Sequence, residues 1–421
     1  MVYGRSGSRG EGRLTDHVSI GVLARVIPRD VVDDVLAETG RREKRKRLLP
    51  AHVVVYFVVA LALFRDGYEE TLRLLVGGLR FLRNWDTEWT VPTTGAVSQA
   101  RARLGAEPVR VLFERVAAPL AGPGSPGGWL RRWRLMAIDG VQIDVPDTEA
   151  NVAAFGKATG GTRRPYPQIR VVGLAECATH AVIAAETGGL RTGERELAEK
   201  LTGAVDEDMM VLADRGFFSF QTWTAYMVTG AALLWRVSAT VTLEPTEVFP
   251  DGSYLSIIAS RGVRGCGFSI PLSAVTDPRD ATHVPVRVVE YTITGAGPDE
   301  SGAPETFRLI TTVLDPAELS ATEMAYGYWQ RWEYELSLRE IETQLLDPGY
   351  GLRSKTPEMV KQELWGLLIA HYAIRSIMVE AADTRGVDPD RLSFIRTLGV
   401  IRRQVTNQAA FSPHITGPGA H

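Results

Sequence analysis

The chain has 421 residues, 45% hydrophobic and 23% charged, and its 47 Lys and Arg against 50 Asp and Glu leave a net charge of −3. That length and apolar content allow a large buried core and suit two or three domains. Two distant cysteines, Cys177 and Cys266, and seven histidines without an H-x-x-x-H pair exclude a disulfide framework and show no metal-ligand spacing, as expected of a reducing cytoplasm.

The first 14 residues, rich in Gly, Ser and Arg, read as a disordered tail without the apolar core of a signal peptide. From residue 15 to 122 the periodicity is helical throughout: Ile20 to Ile27, Val31 to Leu36, Ala51 to Phe64 and Glu69 to Leu82 carry apolar residues at helical spacing. The run from Ala51 to Phe64 is too short to span a bilayer and is bracketed by Pro50 and Arg65, so a buried core helix is expected and no membrane partner. Arg41-Arg42-Glu43-Lys44-Arg45-Lys46-Arg47 is a dense basic run, which is a solvated helix face or part of a polyanion surface. After Pro92-Thr-Thr-Gly a helix carrying Arg101 and Arg103 is compatible with DNA recognition; an ordinary helix with exposed arginines is the plainer alternative.

Beyond about residue 123 the pattern turns to strands. Arg134 to Asp139, Val141 to Val145, Gln168 to Leu174 and His180 to Glu186 form a meander. A helix from Thr192 to Leu201, a buried strand Met209 to Ala213, a helix Phe218 to Val228 and a strand Ala231 to Val237 follow. That order predicts an α/β fold with a ribonuclease-H-like core over 123–239 and 314–405. Residues 240–313, rich in Val, Thr, Gly and Pro, interrupt it as an all-β insertion with strands at Leu255 to Ala259, Val284 to Thr294 and Phe307 to Val313. Ser320-Ala-Thr-Glu323 is a capping box that opens a long helix, and Asp347-Pro-Gly ends it. Pro357 opens another helix running to about Ala382, in which His371 reads as a packing residue, and 406–421 is a C-terminal tail.

The chemistry concentrates in three places. Asp139 follows Met136-Ala-Ile and Asp214 follows Val211-Leu-Ala, so each ends an apolar run. For Asp139-Gly140 alone a turn is the leading reading, and Asp144 and Asp147 are its rivals as a functional carboxylate. On the later helix, Tyr328, Arg331 and Glu335 lie three and four residues apart and share one face. An Arg331–Glu335 helix pair is the bland alternative. Two strand-end aspartates with a helical glutamate instead suggest a carboxylate triad for two-metal phosphoryl transfer on nucleic acid, with Asp139, Asp214 and Glu335 as catalytic metal ligands. Mg²⁺ suits such oxygen ligands, two ions per site, and Mn²⁺ can substitute. Arg331 and Tyr328 can hold phosphate, or the tyrosine can stack on a base, while Arg215 steadies the same backbone. Arg131, Arg132, Arg134, Arg163, Arg164 and Arg170 cluster in sequence around Asp139, which favours a polyanionic partner. The Gly-rich Lys157 to Arg164 stretch lacks the P-loop pattern.

Together these motifs resemble bacterial DDE transposases of the insertion-sequence-four family. The family's helix signature is Tyr, two residues, Arg, three residues, Glu, six residues, Lys. Tyr328, Arg331 and Glu335 match the first three, and Ile138-Asp139-Gly140 and Asp214-Arg215-Gly216-Phe217-Phe218 match the two aspartate motifs. Leu49-Pro50-Ala51 to Phe64, Ser98-Gln-Ala-Arg-Ala-Arg-Leu and Leu352-Arg-Ser-Lys-Thr-Pro-Glu extend the similarity over about residues 15 to 405. The resemblance implies a Mg²⁺-dependent transposase in the bacterial cytoplasm, acting on double-stranded DNA at terminal inverted repeats and on target DNA. It also implies a dimer in the synaptic complex and a helical DNA-binding domain over 15–122. A catalytically silent DNA-binding derivative is the alternative. The signature's last lysine falls at Glu342, with Arg339 nearby as the candidate substitute.

Overall fold

The computed structural model describes residues 21–43, 47–77, 91–157, 166–260, 282–293, 305–346 and 351–406. The expected tail 1–14, all but the first residue of the tail 406–421, Lys44 to Lys46, Arg163, Arg164, Cys266 and the Asp347-Pro-Gly stop lie outside the described residues. The chain divides into two compact units. One comprises Met1–Val116, Glu358–Ile374 and Ser393–His421, and the other Ala117–Pro357 and Arg375–Leu392.

The first unit begins with helices α1 (Arg29–Glu38), α2 (Ala51–Leu63), α3 (Tyr68–Gly77), α4 (Thr94–Leu104) and α5 (Glu107–Val116). Helix α2 is apolar on every side, and from His52 to Leu63 every residue is buried. A helix of that composition can only be a core element or lie in lipid, and here neighbouring helices cover it. Thr93 caps α4 by accepting from the Ala96 amide at 3.3 Å.

The second unit starts with β1 (Trp129–Leu130) and the long β2 (Trp133–Asp144). The sequence split this stretch at Asp139-Gly140, but β2 runs straight through, with Asp139 opposite Gly173 and Gly140 opposite Val172. The ladder to the next strand supplies both residues with backbone partners, so the Asp-Gly pair forms no turn. Then follow α6 (Glu149–Phe155), β3 (Gln168–Glu176), β4 (Val182–Gly189), α7 (Glu194–Lys200), β5 (Met209–Ala213), α8 (Phe220–Met227) and β6 (Ala232–Arg236). Strands β7 (Glu247–Val248), β8 (Tyr254–Ala259), β9 (His283–Ile293) and β10 (Glu305–Thr311) complete a single sheet in the order β4-β3-β2-β5-β6-β10-β9-β8-β7, with β1 on β2. The architecture is thus mixed α/β. Among the described residues of 240–313 there is no helix, and its strands prolong the sheet from β6 rather than packing apart from it.

Among the described residues only β2–β5 and β5–β6 are parallel. Their alternation sorts the side chains cleanly. Met136, Ile138, Val211, Ala213, Leu233 and Trp235 face one side, where Leu197 of α7 and Trp223 and Tyr226 of α8 pack on them. Trp223 and Trp235 meet edge to face at 5.3 Å between ring centroids. The intervening residues, Asp139, Asp214 and Arg236 among them, point to the opposite face.

That opposite face carries α9 (Ala321–Trp329) and α10 (Arg331–Glu340), which continue each other through Gln330 and run into one π turn, Ile341–Leu345. Helix α11 (Pro357–Arg385) contributes its first part to the first unit and its last part to the second, and α12 (Phe394–Thr406) belongs to the first. By length and composition α11 could cross a membrane, yet 78% of its apolar window is buried in the protein.

In the first unit α11 touches α2 backbone to backbone. A Cβ at Gly366 would stand 2.7 Å from Val58 Cγ1 and 2.8 Å from the Val58 carbonyl oxygen. In an exposed helix Gly→Ala stabilises by about 1 kcal/mol. Here Gly366→Ala is expected to destabilise by about 1–3 kcal/mol through overpacking. A urea denaturation midpoint below that of the natural protein confirms the close approach; a midpoint above it refutes it.

Candidate active site

Register assembles the site. Ile138 pairs with Ala213 in the parallel β2–β5 ladder, and Ala213 with Trp235 in β5–β6. The next residue on each strand is therefore Asp139, Asp214 and Arg236, a row of charges across three neighbouring strands about 4.8 Å apart. Asp139 accepts from the Gly140 amide through Oδ1 at 2.8 Å and faces Arg331 Nη1 through Oδ2 at 3.5 Å. Asp214 Oδ1 lies 3.4 Å from the Tyr328 hydroxyl and 3.9 Å from Arg236 Nη1. These contacts to side chains are long for charge-assisted hydrogen bonds, so they orient the carboxylates without closing tightly over them.

The helix residues come from α9 and the first turn of α10. Tyr328 is 1% exposed and Arg331 5%. Burial pushes the Tyr328 phenol well above its ordinary pKa, so the hydroxyl stays protonated and donates to Asp214. A ring so enclosed cannot stack on a base, which corrects that expectation. Its edge meets Phe307, whose face also carries the Arg236 guanidinium at 4.1 Å. Arg331 lies near the Trp332 ring, 5.5 Å from its centroid. Glu335 lies one turn beyond Arg331 in α10, on the same helical face as Tyr328 and Arg331; its side chain is outside the described residues. The structure thus brings Asp139, Asp214, Tyr328 and Arg331 together on one side of the sheet, beneath the helix that carries Glu335.

The other expected DNA contacts divide. Arg103, Arg215 and Arg339 are exposed. Arg101 is not: it is fully buried, donating to Gln362 Oε1 at 2.8 Å, to the Met359 carbonyl at 3.1 Å and to the Tyr68 hydroxyl. It cross-links α3, α4 and α11 within the first unit, because a buried guanidinium needs that many acceptors. Arg101 is thereby corrected from a DNA contact to a core residue. The arginines near Asp139 in sequence are similarly engaged: Arg131 with Glu323, Arg132 with Glu318, Arg134 with Glu176, and Arg170 with Glu194. Glu342 is exposed on the π turn, and crowding by neighbouring protein raises its carboxyl pKa.

Arg236 was missed from sequence. Its signal was the one that revealed the aspartates, since Ala232-Leu-Leu-Trp-Arg236 is another apolar strand ending in a charge.

Comparison with known proteins gives the family. The insertion element 4 transposase N-terminal family matches residues 17–114. The transposase InsG of insertion sequence element IS4 from Escherichia coli strain K12 is 31% identical over 386 residues, covering 91% of this chain and 82% of that protein. The chain belongs to the IS4 transposase family. It is accordingly an enzyme that acts on DNA. Among solved structures, a piggyBac transposase synaptic complex with hairpin DNA shares 12% identity at a TM-score of 0.46, covering 94% of this chain and 82% of that one. That likeness is too loose to add to the assignment.

The capping box at the head of α9 gives a pH test. Glu323 Oε2 accepts from the Ser320 amide at 2.9 Å, and Glu323 also pairs with Arg131 at 2.7 Å. Arg131 first, and the Ser320 contacts after it, hold the Glu323 carboxyl down at about 2 against an ordinary 4.5. A depressed carboxylate stabilises fully above its unfolded pKa and loses that contribution as pH falls through the folded one. Stability should therefore fall between about pH 4.5 and about pH 2, and Glu323→Gln should flatten that part of the acid limb. Thermal melts across this window, identical in slope for both proteins, would remove Glu323 from the account.

Proposed function

We propose that this transposase performs Mg²⁺-dependent cleavage and strand transfer at the ends of an insertion sequence, with Asp139, Asp214 and Glu335 as its acidic triad. The observation that carries the reading is the parallel register that sets Asp139 and Asp214 side by side, on the face beneath the helix bearing Tyr328, Arg331 and Glu335. The strand order β4-β3-β2-β5-β6, two antiparallel ladders followed by two parallel ones, supports a ribonuclease-H-like core. Residues 15–122 would supply the DNA-binding domain and 123–239 with 314–405 the catalytic one.

The donor set fits magnesium: the two donors on the strands are carboxylates, Asp139 within β2 and Asp214 directly after β5, and hard oxygen ligands suit that ion. Two bound Mg²⁺ ions would activate the attacking oxygen and stabilise the leaving one. The protein's own groups do the positioning. Arg331 and Tyr328 hold the two aspartates in orientation, and Arg236, itself paired with Glu305, stands beside Asp214. Water attacks one phosphodiester at the element end, leaving a 5′-phosphate on one side and a free 3′-hydroxyl on the other; that hydroxyl attacks a second phosphodiester, loses its proton to solvent and displaces the 3′-oxygen of the attacked strand, which takes up a proton and leaves as a hydroxyl. Arg103, Arg215 and Arg339, all exposed, would meet phosphate. Double-stranded DNA is the partner, and two copies would pair in the synaptic complex.

Asp139→Ala and Asp214→Ala should each abolish strand cleavage of a labelled duplex carrying the element's terminal sequence in Mg²⁺. Binding of that duplex should persist, because removing a carboxylate lessens repulsion of phosphate. Cleavage and gel-shift assays on the same preparations decide it. Cleavage retained by either variant would remove that residue from the triad.

A further inference from the structure

Helix α10 has a second charged face. Taking 100° per residue, Arg331 and Glu335 lie together, whereas Glu333 and Glu340 lie on the opposite side, seven residues apart and nearly in line. Both are held from outside the helix. Glu340 accepts from Arg375 of α11 through both oxygens, at 2.9 Å and 2.5 Å. Glu333 Oε2 lies 3.2 Å from His180 Nε2, on the turn between β3 and β4. Arg375 also donates to His180 Nδ1, which joins the two anchors into one buried network.

His180, Glu333 and Asp390 could be mistaken for a metal site, since their ligand atoms lie within 4.8 Å of one another. The hydrogen bonds argue otherwise. Arg375 occupies the Nδ1 lone pair, so the ring carries its proton on Nε2, the atom facing Glu333 and Asp390. A protonated nitrogen cannot ligate, and histidine ligands normally donate through their second nitrogen rather than accept from a cation. Of the two carboxylates near that nitrogen, Glu333 is the one on α10, and its Oε2 accepts from Nε2 at 3.2 Å.

We propose that Arg375 and His180 form a positioning clamp on the back of α10, gripping Glu340 and Glu333 so that the height and rotation of the helix, and with them the place of Glu335, are fixed for metal binding. The ionic grip on Glu340 and the histidine hydrogen bond to Glu333 hold the face opposite the one that Tyr328 and Arg331 hold, and Glu340 is the last residue before the regular helix gives way to the π turn. Glu333 and Glu340 lie on the side of α10 opposite Arg331 and Glu335, so the clamp acts through helix placement.

The inference rests on the acidic-triad reading. Its test is Mn²⁺ binding by the full-length, DNA-free protein, followed by electron paramagnetic resonance, with half-saturating Mg²⁺ for end cleavage as a second readout. Arg375→Lys keeps the charge and the fold but loses the two-pronged grip on Glu340. It should weaken Mn²⁺ affinity about tenfold, the lower range for supporting residues behind a metal site. Glu340→Gln should do likewise, and the double variant should be no weaker than the worse single one, since both substitutions break one contact. Cleavage should recover at saturating Mg²⁺ and end binding should be unaltered. A lowered melting temperature with Mn²⁺ affinity unchanged in both single variants would overturn the clamp. Asp139→Ala separates the two ideas: if the natural protein binds Mn²⁺ and this variant does not, the triad stands whatever the clamp variants do. If the natural protein binds no Mn²⁺, triad and clamp fall together.

Discussion

The parallel ladder between β2 and β5 is the constraint on which the site depends. Once Ile138 is opposite Ala213, Asp139 and Asp214 have no choice but to emerge side by side at the carboxyl end of the shorter strand. Two carboxylates at strand spacing repel, and taking them partly from water adds to the cost. The fold supplies cations on the same row and above it: Arg236 by register from β6, and Arg331 from the overlying helix. Neither arginine closes on its aspartate at salt-bridge optimum. An open sheet collects ligands beyond the carboxyl ends of its parallel strands, where helix follows strand and backbone groups are free to turn outward. The acidic row occupies that position.

The helix above the row is held from several directions. Its start is fixed by the Ser320–Glu323 capping box and by Asp251, which accepts from the Ala321 amide at 2.9 Å. Asp251 in turn is 3.4 Å from the buried Arg287, whose Nη1 donates to the carbonyls of Val313 and Asp315. The β-rich stretch thus serves the site through its loops and strands, since β8 and β9 carry this arginine network to the head of α9. The middle of the helix is set by Tyr328 and Arg331 against the aspartates, and its back by Glu333 and Glu340. For the proposed triad the helix would need its rotation defined at more than one point, and contacts on opposite faces define it better than more contacts on one.

What could be read in the sequence was what lies within a few residues of itself. Met209 to Ala213 is five buried residues in a row and was legible as a strand to the residue, because a strand covered on both faces shows no alternation. The capping box, α2 and the two aspartates were legible for the same local reason. Asp139-Gly140 misled because turn chemistry is local, whereas the ladder that overrides it comes from β3, some thirty residues away. Arg101 misled more deeply: on α4 it is one more polar residue of a weakly amphipathic helix, and its fate is decided by Gln362. The clamp on α10 was invisible for that reason too, since its residues come from three separate stretches, His180 between β3 and β4, Glu333 and Glu340 on α10 and Arg375 on α11, with no shared motif.

Charge shows the same division between local pattern and distant partner. A near-neutral chain that acts on a polyanion must segregate its cations, and the sequence invites one to count every arginine cluster towards that surface. Many of those arginines are spent inside. Arg101, Arg287, Arg331 and Arg375 are buried, and Arg131, Arg132, Arg134 and Arg170 each sit against a carboxylate. An arginine paired with glutamate contributes little net field to an approaching phosphate, because the two charges largely cancel beyond a Debye length of about 8 Å. The surface that meets DNA is therefore set by fewer residues than composition implies, and each exposed arginine weighs correspondingly more. On the proposed reading, the exposed carboxylate of Glu342, seven residues beyond Glu335, would subtract from that small number, and the charge at this position would then matter far more than one residue in a long chain ordinarily does.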